Sequence, residues 1–258
     1  MVIEEVTPVA TDSASNEIDS VQIQNTMEQY FREVEEYRSA EQRYLISRQQ
    51  YYQLNTLAAQ EDAIAKAKEV LRARAQVLRT YYTYLRYVLI NTKGVELAAK
   101  EETLEQLELE AENMRFYQEQ VGTLTRRDEV AAEFTVLNEQ QQTLQALAFS
   151  SQALIKIGQL QIAQDQAAST RELVNQWLEQ ASITAASKAK KVRGMEEVDR
   201  QLQQAKNNLD DVSFRWVTRT AETRFTEATY RQFQTEAEYS YLSLRQGLSF
   251  LEEIVREQ

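Results

Sequence analysis

The sequence predicts an all-α protein, an elongated antiparallel helical bundle or coiled coil of about four long helices of unequal length. The chain of 258 residues contains five glycines and one proline. Average usage would give roughly a dozen prolines and about eighteen glycines. Because both residues dominate turns and proline breaks helices, a chain this poor in them has few turns. Its apolar residues also recur at the seven-residue spacing of packed helices, which favours the same fold class.

The first helix is expected over about residues 21–90. An apolar heptad runs from Leu57 to Leu89, and upstream of it tyrosines lie seven residues apart. Because no stop signal is recognised between these two patterns, they predict one helix roughly 100 Å long at 1.5 Å per residue. The segment Asn91–Gly94 is expected to end this helix, since glycine suits a left-handed C-terminal position.

Three further helices are expected over about residues 95–121, 126–192 and 195–256. Gly122 and Gly194 mark the expected breaks between them. A continuous helix through Gly122 is one alternative, and a second break near Ala168, before a capping-box pattern, is another. Helices of such unequal length predict a staggered rod that forms one domain over residues 20–258.

Residues 1–19 are expected to form a short disordered acidic tail, because five acidic residues and no basic residue occur there. This segment lacks the basic start and apolar stretch of a signal peptide. The expected location is therefore cytoplasmic, with export by a signal-independent route as the alternative. The most apolar window, residues 144–163, contains Lys156 and several polar residues, and so predicts no membrane span.

The composition argues against several classes of function. A formal net charge of −11 repels nucleic-acid phosphates, so no nucleic-acid partner is expected. The chain has no cysteine and no histidine, which removes thiolate nucleophiles, imidazole acid–base chemistry and the usual zinc ligands. Helical di-metal sites of carboxylates normally include histidines as well. We therefore expect no catalytic residue, no metal and no cofactor, and a protein that is not an enzyme.

The most unusual feature of the sequence is a tyrosine stripe, which comprises Tyr30, Tyr37, Tyr44 and Tyr51. One interpretation is a bundle core of aromatic rings whose hydroxyl groups reach water at the rim. The other is a surface for self-association or for a protein partner, because tyrosine is enriched at interfaces. Leucine would fill a dry core better, which favours a partly exposed stripe.

A second candidate interface lies in residues 144–163, which are apolar on nearly every helical face. A helix that is apolar all round is surrounded, either by its own bundle or by a second subunit. The candidate interface residues in this segment are Phe149, Leu154 and Ile157.

A basic cluster precedes Gly194 and comprises Lys188, Lys190, Lys191 and Arg193. One interpretation places these cations at a helix C-terminus, where they offset the helix dipole. The other is a tip that binds anions or touches a membrane surface.

These features predict a non-catalytic structural or interaction protein. It is expected to scaffold a protein partner or to self-associate through its coiled-coil faces. The alternative is a helical protein of the membrane surface that senses or remodels bilayers.

Overall fold

A computed structural model describes residues 18–181, 184–217 and 225–256 of the chain. Within these ranges the protein is 93% helical, with six helices and no strand. The helices are α1 (Ser20–Leu54), α2 (Leu57–Asn91), α3 (Leu97–Thr123), α4 (Arg127–Gln180), α5 (Ala185–Val217) and α6 (Glu227–Arg256). The all-α class is therefore confirmed, whereas the predicted number of about four helices is wrong. The acidic tail predicted for residues 1–19 lies outside the described residues, apart from its last two.

The single helix predicted over residues 21–90 is in fact two helices, α1 and α2, which fold into an antiparallel hairpin. Asn55 adopts a left-handed conformation with φ 46°, and its N–H donates to the carbonyl of Tyr51 at 2.9 Å. The Thr56 side chain then accepts a hydrogen bond from the N–H of Ala59 at 3.3 Å. Asparagine enters the left-handed region more readily than most residues, and threonine is a good N-cap. The chain therefore reverses within two residues.

The predicted break at Gly122 is confirmed, since α3 ends one residue later. No break occurs near Ala168, which lies within α4. The helix predicted over residues 126–192 therefore runs through this point, but it ends at Gln180, earlier than expected.

The break predicted at Gly194 is wrong, because this residue lies inside α5. A Cβ atom at Gly194 would lie 3.0 Å from the side chain of Ile254, so the glycine lets α5 and α6 approach closely. The helix predicted over residues 195–256 is also wrong, since α5 ends at Val217 and α6 begins at Glu227.

The helices pack as two groups along the long helix α4, with α1, α2 and α3 on its first half and the α5–α6 hairpin on its second half. Helices α1, α2 and α3 alternate in direction, and the first half of α4 packs beside them, antiparallel to α3. Helices α5 and α6 form an antiparallel hairpin that packs on the second half of α4. At 1.5 Å per residue, the 54 residues of α4 span about 80 Å, so this helix carries both groups.

Two hydrophobic cores meet on α4 near its midpoint. Leu144, Leu154 and Ile155 belong to the core shared with α2 and α3. Ala153, Ile157 and Leu160 belong to the core shared with α5 and α6. This segment is apolar on nearly every face because the chain's own helices cover it from both sides.

A polar bridge crosses the same region. The Gln152 side chain of α4 donates a hydrogen bond to the hydroxyl of Tyr81 on α2. Its amide oxygen accepts a hydrogen bond from the hydroxyl of Tyr230 on α6. One glutamine therefore connects the two halves of the molecule.

Among the described residues, no helix has both the length and the apolar character that crossing a bilayer would require.

Candidate functional site

The tyrosine stripe lies along one flank of α1, where all four side chains are half-buried. The ring of Tyr30 contacts that of Tyr81 on α2, with centroids 5.0 Å apart. The ring of Tyr44 stacks on Phe134 of α4 at 5.7 Å. The stripe therefore fills the space between α1 and its neighbours with aromatic rings.

The end of the stripe near the α1–α2 turn contacts the start of α4. The Tyr51 hydroxyl accepts a hydrogen bond from Arg127 at 3.2 Å, and the same guanidinium lies 5.2 Å from the Tyr51 ring centroid. The Tyr37 hydroxyl donates to Glu41 at 3.4 Å. Burial raises the pKa of Tyr37, and the Glu41 carboxylate raises it further.

The face of α1 that packs on α2 is short of apolar side chains. Its buried residues are Glu33, Ala40 and Ser47, which also lie seven residues apart. Glu33 accepts hydrogen bonds from Gln29 and from Gln76 of α2, each at 2.8 Å. Polar contacts therefore form part of the interface between α1 and α2.

The outer face of α1 carries a second heptad, which we name the α1 seam. Its members are Met27, Phe31, Val34, Arg38, Glu41, Leu45, Arg48 and Tyr52. Four of its apolar side chains are exposed, Met27 by 39%, Phe31 by 54%, Leu45 by 46% and Tyr52 by 66%. Sequence reasoning gave no role to this seam, although its alternating spacing of four and three residues was a signal that could have found it.

The second candidate interface lies inside the bundle. Leu154 and Ile157 are buried, with exposed fractions of 5% and 4%. Phe149 is half-buried and stacks on Tyr230 of α6, with ring centroids 4.8 Å apart. The structure thus places these side chains among the chain's own helices.

The basic cluster lies in the first turns of α5, so its interpretation as the C-terminal end of a helix is wrong. Lys188, Lys190 and Arg193 are exposed, whereas Lys191 is only 3% exposed. The Lys191 ammonium donates to the carbonyl of Ile254 in the last turn of α6, and it lies 5.1 Å from the Trp177 ring centroid. Lys191 therefore contributes to packing and does not share an open surface with the other three.

A cavity of about 360 Å³ lies between α3, α4, the last turn of α5 and Phe225. Its lining is mainly apolar and includes Leu109, Leu147 and Trp216, with Glu102 and Glu110 as its charged members. No group of three or more potential metal ligands occurs among the described residues. The side chains around this cavity suit the binding of an apolar group better than acid–base chemistry.

Comparison with known proteins found no matching family model, no matching curated protein and no matching solved structure.

Proposed function

We propose that this chain is a non-catalytic interaction protein, which self-associates through the outer face of α1 in a structural or scaffolding role. The observation that carries this proposal is the row of exposed apolar side chains along the α1 seam. Single exposed apolar residues are common on protein surfaces, but a row of them along one helix marks a surface that binds another molecule.

The position of α1 in the bundle supports the proposal. Helix α1 packs on α2 along its length and meets α4 through the ring of Tyr44 and the hydroxyl of Tyr51. The side of the helix that carries the α1 seam remains open over about seven turns. A second helix could therefore lie along α1 without displacing any contact described above.

The test is the mass of the protein in solution. We expect light scattering across a concentration series to give a multiple of the 30.0 kDa chain mass, and small-angle X-ray scattering to give an elongated particle. A chain that stays at 30.0 kDa at every concentration would overturn self-association.

A role at the membrane surface is the second candidate. It is supported by the position of the basic cluster beside exposed apolar residues, since Trp177 is 40% exposed and Val192 is 47% exposed. Apolar side chains bordered by cations are typical of helices that lie on anionic bilayers. Co-sedimentation with anionic vesicles at low salt tests this candidate, and protein that stays in the supernatant would overturn it.

A further inference from the structure

We infer that two copies of this chain pair through α1 as an antiparallel, two-fold symmetric dimer, with the α1 seam of one copy packed against the α1 seam of the other. This inference rests on the proposed function, because it names the partner of the exposed α1 face.

The α1 seam has the geometry of a coiled-coil interface. Its eight positions alternate in steps of four and three residues from Met27 to Tyr52, as do the a and d positions of a heptad. They span about 38 Å at 1.5 Å per residue. The seam is turned roughly a third of a helical turn away from the face that packs on α2, which is why its apolar members are exposed in a single chain.

The seam matches itself when a second copy runs in the opposite direction. A two-fold axis between Ser39 and Ala40 places each a position of one helix opposite a d position of the other, and symmetry makes every contact occur twice. The resulting pairs are Met27 with Tyr52, Phe31 with Arg48, Val34 with Leu45, and Arg38 with Glu41.

Each of these pairs joins groups that attract one another. Two pairs are apolar. The third pair sets the guanidinium of Arg48 against the ring of Phe31 in the second copy. Within the single chain, the same guanidinium lies 5.8 Å from the centroid of the Tyr44 ring. The fourth pairs Arg38 with a carboxylate near the two-fold axis. The Arg38 side chain pairs with Glu35 at 2.6 Å within the single chain, but it is 64% exposed and can also reach a carboxylate of a second copy.

The charges along α1 favour the antiparallel direction. Residues 20–36 contain four glutamates and one arginine, whereas residues 37–54 contain three arginines and one glutamate. Antiparallel pairing sets the acidic half of one helix against the basic half of the other. Parallel pairing would instead bring like charges together, which costs free energy. A second copy of the chain therefore fits this face in one direction.

The tyrosine stripe borders the interface in this arrangement. Its residues lie one position before Phe31, Arg38, Leu45 and Tyr52 of the seam, so they occupy g positions of the heptad. Their half-buried rings, which already pack on α2 and α4 within one chain, would form one edge of the interface. Tyrosine is common at such positions because it combines apolar area with a polar tip.

Charge reversal at the centre of the seam tests the pairing. Arg38→Glu sets a carboxylate against Glu41 of the second copy, and Glu41→Arg sets two guanidinium groups together. Each change alone should raise the dimer dissociation constant on the order of a hundredfold, because two like-charge contacts form per dimer. The double variant R38E/E41R restores opposite charges and should return the dissociation constant to near that of the wild type. The matched control is Arg32→Glu, which makes the same charge change on a different face of α1.

Disulfide trapping tests the direction and the register. The chain has no cysteine, so introduced thiols report on the dimer alone. A mixture of Val34→Cys and Leu45→Cys chains should form an intermolecular disulfide under mild oxidation. Val34→Cys alone should not, because the two copies of this residue lie roughly 17 Å apart in the antiparallel register and a disulfide requires Cα atoms within about 7 Å.

The outcomes separate this inference from the proposed function. A wild-type monomer would overturn the proposed function and the inference together. A dimer that is insensitive to Arg38→Glu and Glu41→Arg would leave self-association standing and overturn pairing through the α1 seam. Efficient disulfide formation by Val34→Cys alone would indicate a parallel dimer and overturn the antiparallel arrangement. Rescue in R38E/E41R together with trapping only in the mixed sample would support it.

Discussion

Gly158 of α4 lies directly against Thr92, at the end of α2. A Cβ atom at position 158 would overlap the methyl group of Thr92 and would lie 2.6 Å from the carbonyl oxygen of Lys93. The segment that connects α2 to α3 therefore packs on the backbone of α4 at Gly158, where no side chain lies between them. Gly94, in the same segment, has φ 75° and also packs on α4, beside Gln161.

The first prediction is that Gly158→Ala destabilises the protein. The added methyl group would force the connecting segment away from α4, and overpacking of this kind costs about 1–3 kcal/mol. The free energy of unfolding, measured by urea denaturation and circular dichroism, should fall by that amount.

The matched control is Gly122→Ala, which also replaces a helical glycine. Apart from the adjacent backbone of its own helix, no atom lies within 4 Å of a Cβ built at this position, and alanine lowers the conformational entropy of the unfolded chain. We expect this change to be neutral or to stabilise the protein by up to about 1 kcal/mol. Equal effects of the two substitutions would contradict the close packing at Gly158.

The second prediction concerns the turn between α1 and α2. Asn55→Ala should destabilise the protein by about 1 kcal/mol, because alanine in a left-handed conformation is strained. Asn55→Gly should be neutral or stabilising, since glycine enters this region freely. If a continuous helix ran through this position, Asn55→Ala would be the more stable variant and Asn55→Gly the less stable one, because alanine is the best helix former and glycine a poor one. Thermal unfolding of the two variants therefore distinguishes a hairpin from a continuous helix.

The sequence predicted the all-α class and the break at Gly122, but it did not predict the number of helices. Helix class follows from heptad spacing and the scarcity of proline and glycine, which are properties of the whole chain. The turn at Asn55 depends on two residues, and asparagine and threonine also occur inside helices at a modest cost in helix propensity. Gly194 was wrongly predicted to end a helix. A glycine inside a helix can also allow close packing, as it does here against Ile254.

The sequence predicted the tyrosine stripe as a candidate surface, but it did not predict the α1 seam. The spacing of the tyrosine stripe shows that its members share one face of α1, but it does not show what that face contacts. The direction in which α2 folds back decides which flank of α1 is covered, and this depends on the turn at Asn55. The seam could therefore be recognised as open only after the hairpin was known.

The third prediction is that Lys191 stabilises the fold, in contrast to its exposed neighbour Lys188. Lys191→Ala removes the hydrogen bond to the carbonyl of Ile254 and the contact with the Trp177 ring. The cost should be about 1–3 kcal/mol. Lys188→Ala, at an exposed site of the same helix, should change the free energy of unfolding by no more than about 0.5 kcal/mol. Similar effects in both variants, measured by urea denaturation, would contradict a packing role for Lys191.

The fourth prediction is a loss of stability at alkaline pH that depends on Tyr81. Burial raises the pKa of this phenol from 10.0 to about 12, although the hydrogen bond donated by Gln152 acts in the opposite direction. Burial also raises the pKa values of Tyr82 and Tyr117. The unfolded chain therefore releases these protons at lower pH than the folded protein does.

The sign of the effect follows from this difference in proton binding. The contribution of Tyr81 is fully present below pH 10 and is lost as the pH rises toward about 12, because only the unfolded state gains by ionising in that window. The free energy of unfolding of the wild type should therefore fall more steeply above pH 10 than that of Tyr81→Phe, which has no proton to release at this position. The difference between the two proteins should be constant at neutral pH, which serves as the internal control. A difference that stays constant up to pH 12 would contradict burial of this hydroxyl beside Gln152.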